Sequence, residues 1–258
     1  MQDLVSFANH LADESGKVIR GYFRQPFDVE TKSDESPVTA ADKGAEARLR
    51  EIIEAQRPED GILGEEYGPK ESRNGYTWVL DPIDGTKSFV IGRPTFGTLI
   101  ALCKDGVPIL GVIDQPILNE RWVGDGKVTY FNGQEAHTRK CPSLKQARVA
   151  STAPAQLAAP NADGHLWQAL DAACAYTVWG GDCYSYGLLA NGGLDAVVET
   201  CLAPYDYLAL VPVVTGAGGF MSDWNGNPLT LINHDKSGRT IAMGDASLKD
   251  DFLKIING

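Results

Sequence analysis

One apolar run in the sequence ends in two carboxylates and reads Trp78-Val79-Leu80-Asp81-Pro82-Ile83-Asp84-Gly85-Thr86. The run predicts a strand that stops at a turn, because Pro and Gly interrupt regular strand pairing. Two carboxylates three residues apart, with the Ile83 carbonyl between them, can converge on one hard cation. Gly85 and Thr86 follow at a predicted helix start, where backbone N–H groups bind phosphate oxygens. A plain turn is the alternative interpretation, since Asp, Pro and Gly are the usual turn residues.

The hydrophobic spacing on both sides of this run predicts the secondary structure of the first half. An amphipathic helix is predicted from Leu4 to Tyr22, and a second helix follows Thr39 as its N-cap. Asp105-Gly106 predicts a hairpin between antiparallel strands. Short apolar runs between Gly, Pro and Asn predict the strands Ile62-Leu63, Trp78–Leu80, Thr98–Leu102, Ile109–Ile113 and Arg121–Val123.

Beyond about residue 145, predicted strands and helices alternate. The predicted strands are Val149–Ser151, Ala196–Glu199, Phe220–Ser222 and Ile241–Met243, with a turn at Trp224-Asn225-Gly226-Asn227. The predicted helices are Leu166–Ala175, Tyr184–Ala190 and Asp206–Thr215. Pro212 lies inside the last helix and predicts a kink or a break there. The sequence therefore predicts two α+β lobes, over residues 1–145 and 146–258.

The composition is that of a globular protein with an acidic balance. The 258 residues include 23 Lys and Arg against 34 Asp and Glu, which gives a net charge of −11, and 43% are hydrophobic. The hydrophobic content argues against a disordered protein, and the acidic balance does not suit a nucleic-acid backbone, which needs clustered basic residues. No apolar run reaches the roughly 20 residues that span a bilayer, so no membrane partner is expected. The five cysteines include no C-x-x-C pair, which predicts reduced, mostly buried thiols. The first residues do not resemble a signal peptide, so a cytoplasmic protein is expected.

Two further acidic segments stand beside predicted element ends. Gly64-Glu65-Glu66 follows the strand at Ile62-Leu63, and Asp206 stands within Pro204-Tyr205-Asp206-Tyr207. Asp206 could instead be a helix N-cap, a structural role that stabilises a helix by about 1 kcal/mol. The sequence has no phosphate-binding P-loop, no G-x-S-x-G and no H-E-x-x-H motif, and it has only four histidines. Oxygen ligands without Cys or His favour Mg²⁺ or Mn²⁺ over zinc.

Taken together, these segments resemble the inositol monophosphatase superfamily. The shared patterns are G-E-E at 64–66, D-P-I-D-G-T at 81–86, Y-D-x-x-A at 205–209 and A-G-G at 217–219. Val38–Asp42 is similar to the upstream segment in which that family carries an active-site aspartate. Within the superfamily, the chain most resembles the histidinol-phosphate phosphatase branch, through Lys87-Ser88-Phe89, Gly181-Asp182-Cys183-Tyr184 and the Tyr before Asp206.

The resemblance implies both a fold and a catalytic centre. The fold would be an α+β protein, a layered α/β/α/β/α sandwich with an antiparallel sheet in the N-terminal lobe and a mixed sheet in the C-terminal lobe. Asp42 and Thr86, with Glu65, would orient and deprotonate a water that attacks the phosphate, without a covalent phosphoenzyme. Two or three Mg²⁺ ions, or Mn²⁺, would be held by Glu65, Asp81, the Ile83 carbonyl, Asp84 and Asp206. The family also leads us to expect a homodimer.

The resemblance further implies a small phosphate ester as substrate, and in this branch L-histidinol phosphate. Gly85 and Thr86 would hold the phosphate, while Asp182, Glu199 and Asp206 would contact the substrate. The ordinary alternatives are a helix N-cap for Asp182 and a strand-end surface acid for Glu199. An inositol-1-phosphate or broad sugar-phosphate phosphatase is the alternative within the same class. A non-catalytic interaction protein on the same fold is the alternative from another class; it would lack a metal carboxylate, and none is missing here.

Overall fold

The chain begins with two long helices that pack together. The computed structural model describes residues 1–26, 29–31, 37–154, 166–233 and 237–257. Helices α1 (Gln2–Tyr22) and α2 (Ala40–Gln56) confirm both predicted helices, and β1 (Val29–Thr31) and β2 (Pro37–Thr39) form an antiparallel pair between them. Thr39 caps α2 as predicted, because its hydroxyl accepts a hydrogen bond from the Ala41 N–H at 3.1 Å.

A seven-stranded sheet follows, with its strands in the order β3-β4-β5-β6-β7-β8-β9. The strands are β3 (Gly61–Gly64), β4 (Tyr76–Asp84), β5 (Gly97–Lys104), β6 (Val107–Gln115), β7 (Glu120–Gly124), β8 (Thr129–Phe131) and β9 (Gln134–Glu135). The five predicted strands and the Asp105-Gly106 hairpin are confirmed, but β4 does not stop at a turn before Pro82 as predicted and continues through it to Asp84, with a shift of register between Asp81 and Asp84. The sheet is not wholly antiparallel, since β3 and β4 run parallel. Residues 65–75 connect them, a connection long enough to return the chain to the same end of the sheet.

The second sheet has five strands in the order β11-β10-β12-β14-β13 and is mixed, as predicted. Strand β10 is parallel to both neighbours, whereas β14 is antiparallel to both of its own. Its strands are β10 (Arg148–Ser151), β11 (Tyr176–Trp179), β12 (Ala196–Glu199), β13 (Phe220–Ser222) and β14 (Thr240–Met243). The other α-helices with bounds in the described residues are α3 (Thr86–Val90), α4 (Leu166–Ala173), α5 (Tyr184–Ala190), α6 (Pro204–Tyr207), α7 (Leu210–Gly216) and α8 (Lys249–Asn257).

The helix predicted over Asp206–Thr215 is two short helices, α6 and α7. The interruption falls at Leu208-Ala209, before Pro212, which occupies the first turn of α7. Proline is tolerated there because the first N–H groups of a helix have no intrahelical acceptor. Asp206 is also not the N-cap; that position belongs to Ala203, whose N–H donates to Asp206 Oδ2 at 2.7 Å.

The largest hydrophobic cluster joins the two sheets through helices that lie between them. It combines Val79 and Trp122 of the first sheet with Val197 of the second, and with Tyr186 and Val213 from α5 and α7. A β-carbon at Gly111 would lie 1.9 Å from the Ala209 carbonyl oxygen, so only glycine lets α7 approach β6 this closely. This confirms the layered sandwich. The boundary near residue 145 stays a prediction, between β9 and β10.

Two sequence-based expectations concern residues outside the core. No helix in the described part of the chain is long and apolar enough to cross a membrane. All five cysteines are free thiols, of which three are buried and Cys201 is exposed. Most of the thiols are therefore buried or partly buried, as the sequence predicted.

Candidate active site

Three of the predicted metal ligands meet at one end of β4. Asp81, Asp84 and Asp206 each offer a carboxylate oxygen, and these oxygens all lie within 4.8 Å of one another. The pairing of β4 with β5 shifts register between Asp81 and Asp84, and the Ile83 N–H donates to Asp81 Oδ1 at 3.0 Å. This irregular strand end turns both aspartates toward Asp206, which α6 supplies from the second half of the chain.

Glu65 joins the same group through the parallel pairing of β3 with β4. Its N–H donates to the Leu80 carbonyl at 3.2 Å, which places the residue beside Asp81. The Glu65 charge is one of the causes that raise the pKa of Asp81. Four carboxylates therefore share one partly buried volume at this end of the sheet.

The electrostatics of the cluster indicate a cation site. Burial, and then the charges of Glu65 and Asp84, raise the pKa of Asp81 well above its usual range. Burial, and then Asp182 and Asp206, do the same for the pKa of Asp84. Burial raises the pKa of Asp206 to about 7. A divalent cation relieves such repulsion, and an all-oxygen ligand set suits Mg²⁺ or Mn²⁺, so the residues fit the predicted metal.

Asp42 lies in the first turn of α2 and is almost fully buried. Its Oδ2 accepts hydrogen bonds from the Thr39 N–H at 2.8 Å and the Thr39 hydroxyl at 2.5 Å. Its Oδ1 is buried and has no hydrogen-bond partner among the described residues. Burial raises the pKa of Asp42. A carboxylate with a raised pKa and one oxygen that has no partner among the described residues is suited to act as a general base.

Gly85 and Thr86 begin α3, as the sequence predicted. Gly85 is the N-cap and adopts a left-handed conformation at φ +83°, which favours glycine. The Thr86 hydroxyl donates to the Ile83 carbonyl at 3.1 Å, so its oxygen keeps lone pairs that can accept a hydrogen bond. Among the described contacts, none joins Thr86 to Asp42, and their joint action on a water stays a prediction.

Asp182 contacts the first half of the chain directly. Its Oδ2 accepts a hydrogen bond from the Ser88 hydroxyl at 2.7 Å, and the next residue, Cys183, donates its N–H to Asp84 Oδ2 at 2.6 Å. The alternative that Asp182 is a helix N-cap is wrong, because α5 has Cys183 in that position and no side-chain cap. A β-carbon at Gly85 would lie 2.7 Å from the Asp182 carboxyl carbon, so the acid lies against the predicted phosphate-binding turn.

Glu199 is buried at the end of β12, with 2% of its surface exposed, so the alternative of a surface acid is wrong. Its Oε1 accepts from the N–H and the hydroxyl of Thr152, and its Oε2 accepts from the Tyr186 hydroxyl at 2.9 Å. Burial raises the pKa of Glu199 to about 7. With Asp84, Asp182 and Asp206 it lines a cavity of about 50 Å³.

Sequence analysis predicted Thr39 as the cap of α2 but missed that it holds Asp42. It also missed the residues that hold the other carboxylates in place, which are Ser88, Thr152, Cys183 and Tyr186. Only Thr39 carries a local signal, since an N-cap threonine three residues before an acid predicts the reciprocal capping pair. Ser88 and Cys183 lie 94 and 99 residues from their partners, so sequence spacing gives no indication of those contacts.

A larger cavity, of about 860 Å³, lies between α1 and strands β6 to β8. It includes none of the predicted site residues. Arg121, which lines this cavity, forms ion pairs with Asp114 at 2.6 Å and with Asp13 at 2.8 Å. The carboxylate cluster is therefore the better candidate for chemistry, because it gathers acids whose pKa values are raised by one another.

Comparisons with known proteins agree with this site. The sequence pattern of the inositol monophosphatase family matches residues 1–253. The chain is 52% identical to the bifunctional phosphatase IMPL2, chloroplastic, of Arabidopsis thaliana, over 95% of this chain and 72% of that protein. It is 35% identical to a histidinol-phosphatase of Chlorobaculum parvum, over 93% of each chain.

The fold also matches a solved structure. An inositol monophosphatase from Zymomonas mobilis superimposes with a TM-score of 0.89 and 46% identity, over 100% of this chain and 98% of that one. The family pattern covers β4 with Asp81 and Asp84, α2 with Asp42, and α6 with Asp206. The chain therefore belongs to the inositol monophosphatase family and is one of its metal-dependent phosphatases.

Proposed function

We propose that this phosphatase hydrolyses L-histidinol phosphate to L-histidinol and phosphate. The observation that carries the proposal is the pair of acids, Asp182 and Glu199, that lines the cavity beside Asp84. Histidinol carries an amine and an imidazole, both of which can be cationic near neutral pH. An acidic wall favours such a substrate over an uncharged polyol. Relatives that carry the name histidinol-phosphatase at 35% and 36% identity support the same choice.

Five groups would hold the divalent cations: Glu65, Asp81, the Ile83 carbonyl, Asp84 and Asp206. When bound, the cations would supply charge neutralisation for the phosphate and a more acidic water. Nothing in the donor set favours a softer metal, because no Cys or His side chain belongs to the described cluster.

Residues of the chain would bind the phosphate and activate the attacking water. The N–H groups of Gly85 and Thr86 would bind a phosphate oxygen at the start of α3. The Thr86 oxygen would accept a hydrogen bond from the attacking water, and Asp42 Oδ1 would accept its proton. A bond then forms between the water oxygen and phosphorus while the ester P–O bond breaks. The leaving alkoxide takes up a proton from solvent to become histidinol, and Asp42 releases its proton to solvent.

A substrate panel tests the proposal. Phosphate release is measured with Mg²⁺ from L-histidinol phosphate, inositol 1-phosphate and glycerol phosphate, and we expect the first ester to have the highest kcat/KM by a wide margin. A preference for inositol 1-phosphate would instead support the second candidate, an inositol or broad sugar-phosphate phosphatase. That candidate is favoured by the 46% identity to the Zymomonas mobilis inositol monophosphatase.

The variant Asp182→Asn tests whether Asp182 selects the substrate. Removing a charge-assisted hydrogen bond to the substrate should lower kcat/KM for L-histidinol phosphate by roughly 10- to 100-fold. Because Asp182 also lies beside Asp84, the informative quantity is the ratio of kcat/KM between L-histidinol phosphate and glycerol phosphate within each variant. This ratio should fall in Asp182→Asn. If kcat/KM falls equally on both esters, so that their ratio is unchanged, Asp182 supports the metal site and does not contact the cationic part of the substrate.

A further inference from the structure

A buried acid outside the predicted site touches the segment that carries Glu65. Glu46 lies one turn after Asp42 on α2, and its side chain is fully buried. Its Oε2 accepts a hydrogen bond from the Glu66 N–H at 2.7 Å, and its Oε1 accepts from the Tyr67 N–H at 3.3 Å. The carboxylate thus holds the two residues that directly follow Glu65.

The residue before Glu65 is in contact with the same carboxylate. A β-carbon at Gly64 would lie 1.9 Å from Glu46 Oε1, so the absence of a side chain at Gly64 makes room for the carboxylate. The Glu65 N–H donates to the Leu80 carbonyl on the other side. The backbone around Glu65 is therefore fixed between α2 and β4.

Arg50 completes the arrangement. Its Nε donates to Glu46 Oε1 at 2.7 Å, and its Nη2 donates to the Tyr67 carbonyl at 2.9 Å. One guanidinium thus neutralises the buried acid and ties down the same loop. Burying a carboxylate near other acids is unfavourable unless it is paired and hydrogen-bonded, and here it is both.

We propose that Glu46 is a positioning residue that sets the place of Glu65 in the metal site. The inference rests on the proposed metal-dependent function. Asp42 and Glu46 lie four residues apart on one helix, so α2 fixes the proposed base directly and the proposed ligand through Glu46. Groups that orient a metal ligand typically change metal affinity by about 10- to 100-fold when they are replaced.

Glu46→Gln tests the inference with little change in side-chain volume. Glutamine has one acceptor oxygen, and its NH₂ group would face the N–H donors of Glu66, Tyr67 or Arg50. We expect Mg²⁺ alone, titrated calorimetrically into the substrate-free protein, to bind at least about 10-fold more weakly. The Mg²⁺ concentration for half-maximal activity should rise in parallel. The KM for the phosphate ester at saturating Mg²⁺ should change far less.

Asp60→Asn is the matched control. Asp60 is equally buried, pairs with Arg57 three residues earlier, and accepts from Trp78 Nε1 at 2.9 Å, at the opposite end of β3. This variant should lower the melting temperature and leave the Mg²⁺ affinity unchanged. An equal loss of Mg²⁺ affinity in Asp60→Asn would mean that metal binding follows overall stability, and it would overturn the inference.

If Glu46→Gln fails to fold, the variant Arg50→Lys tests whether Glu46 positions Glu65. Lysine keeps the charge but lacks the fork that reaches both Glu46 and the Tyr67 carbonyl, so a smaller loss of Mg²⁺ affinity is expected. If Glu46→Gln and Arg50→Lys, where they fold, bind Mg²⁺ as tightly as the wild type, then Glu46 does not position Glu65. A wild-type protein that binds no Mg²⁺ would instead refute the proposed function itself.

Discussion

Replacing Asp84 by asparagine should change activity and metal-free stability in opposite directions. Asparagine keeps the size of the side chain, and its amide oxygen can still accept the Cys183 N–H that Asp84 Oδ2 accepts at 2.6 Å. The substitution removes one charge from a predicted ligand of the cation. We expect turnover to fall by at least about 100-fold, which corresponds to about 2.7 kcal/mol of transition-state stabilisation.

The metal-free protein should become more stable, because the substitution removes a repelling charge. Oxygens of Asp81, Asp84 and Asp206 lie within 4.8 Å of one another. Two full charges at that distance repel by about 3.5 kcal/mol at an effective dielectric constant of about 20. The pKa of Asp84 is raised, which already weakens this repulsion in the wild type, so we expect a gain well below that bound, of about 1 kcal/mol. In a chain of this length that gain raises the melting temperature by about 2–4 °C.

The assay combines phosphate release with thermal melts in chelator and in Mg²⁺. Asp195→Asn is the control, since Asp195 is as buried as Asp81 but pairs with Arg139 at 2.6 Å away from the cluster. That control should lower the melting temperature and keep the rise that Mg²⁺ produces. Near-normal turnover of Asp84→Asn, or a metal-free melting temperature several degrees below wild type, would show that Asp84 is a structural turn residue.

Two further predictions concern the solution conditions. Chelation should abolish phosphate release, and added Mg²⁺ should restore it while raising the melting temperature; full activity in excess chelator would contradict the metal assignment. The pKa values of Asp206 and Glu199 are both raised to about 7, above those of the unfolded chain, so the folded state binds more protons between about pH 4 and 7. Metal-free stability should therefore decrease as pH rises from about 4 to 7, and saturating Mg²⁺ should reduce this slope; a melting temperature that rises with pH in chelator would contradict the buried, mutually repelling acids.

Local patterns in the sequence were enough to predict most helices and strands. The cap at Thr39 and the helix Tyr184–Ala190 depend on neighbours within one turn, and both were predicted correctly. Strands β1, β2, β8, β9 and β11 were missed, because each is short and β11 has an exposed face at Tyr176 and Val178. The C-terminal helix α8 was also not predicted. The parallel pairing of β3 with β4 was also missed, since it depends on the path of the connection and leaves no periodic signal.

Three of the predicted metal ligands, Asp81, Asp84 and Asp206, come together, but the groups that hold them could not be predicted from spacing alone. Glu46 did carry a signal that was overlooked. It lies on the inward stripe of α2 with Ala45, Leu49 and Ile53, where an acid is unexpected. A charged residue on the buried face of an amphipathic helix needs a partner in the fold. Here the partners are two backbone N–H groups and Arg50.

The hydrogen bond from Cys183 to Asp84 has a consequence for the order in which a newly made chain acquires its site. The two residues lie 99 positions apart, and Ser88 and Asp182 lie 94 apart. During synthesis Asp81 and Asp84 emerge from the ribosome well before the segment that restrains them, and Asp206 emerges later still. Contacts this distant in sequence close late in folding, after the local helices and hairpins. A nascent chain therefore gains its full ligand set only when α5 and α6 have docked, so phosphatase activity reports the docking of these helices on the first sheet.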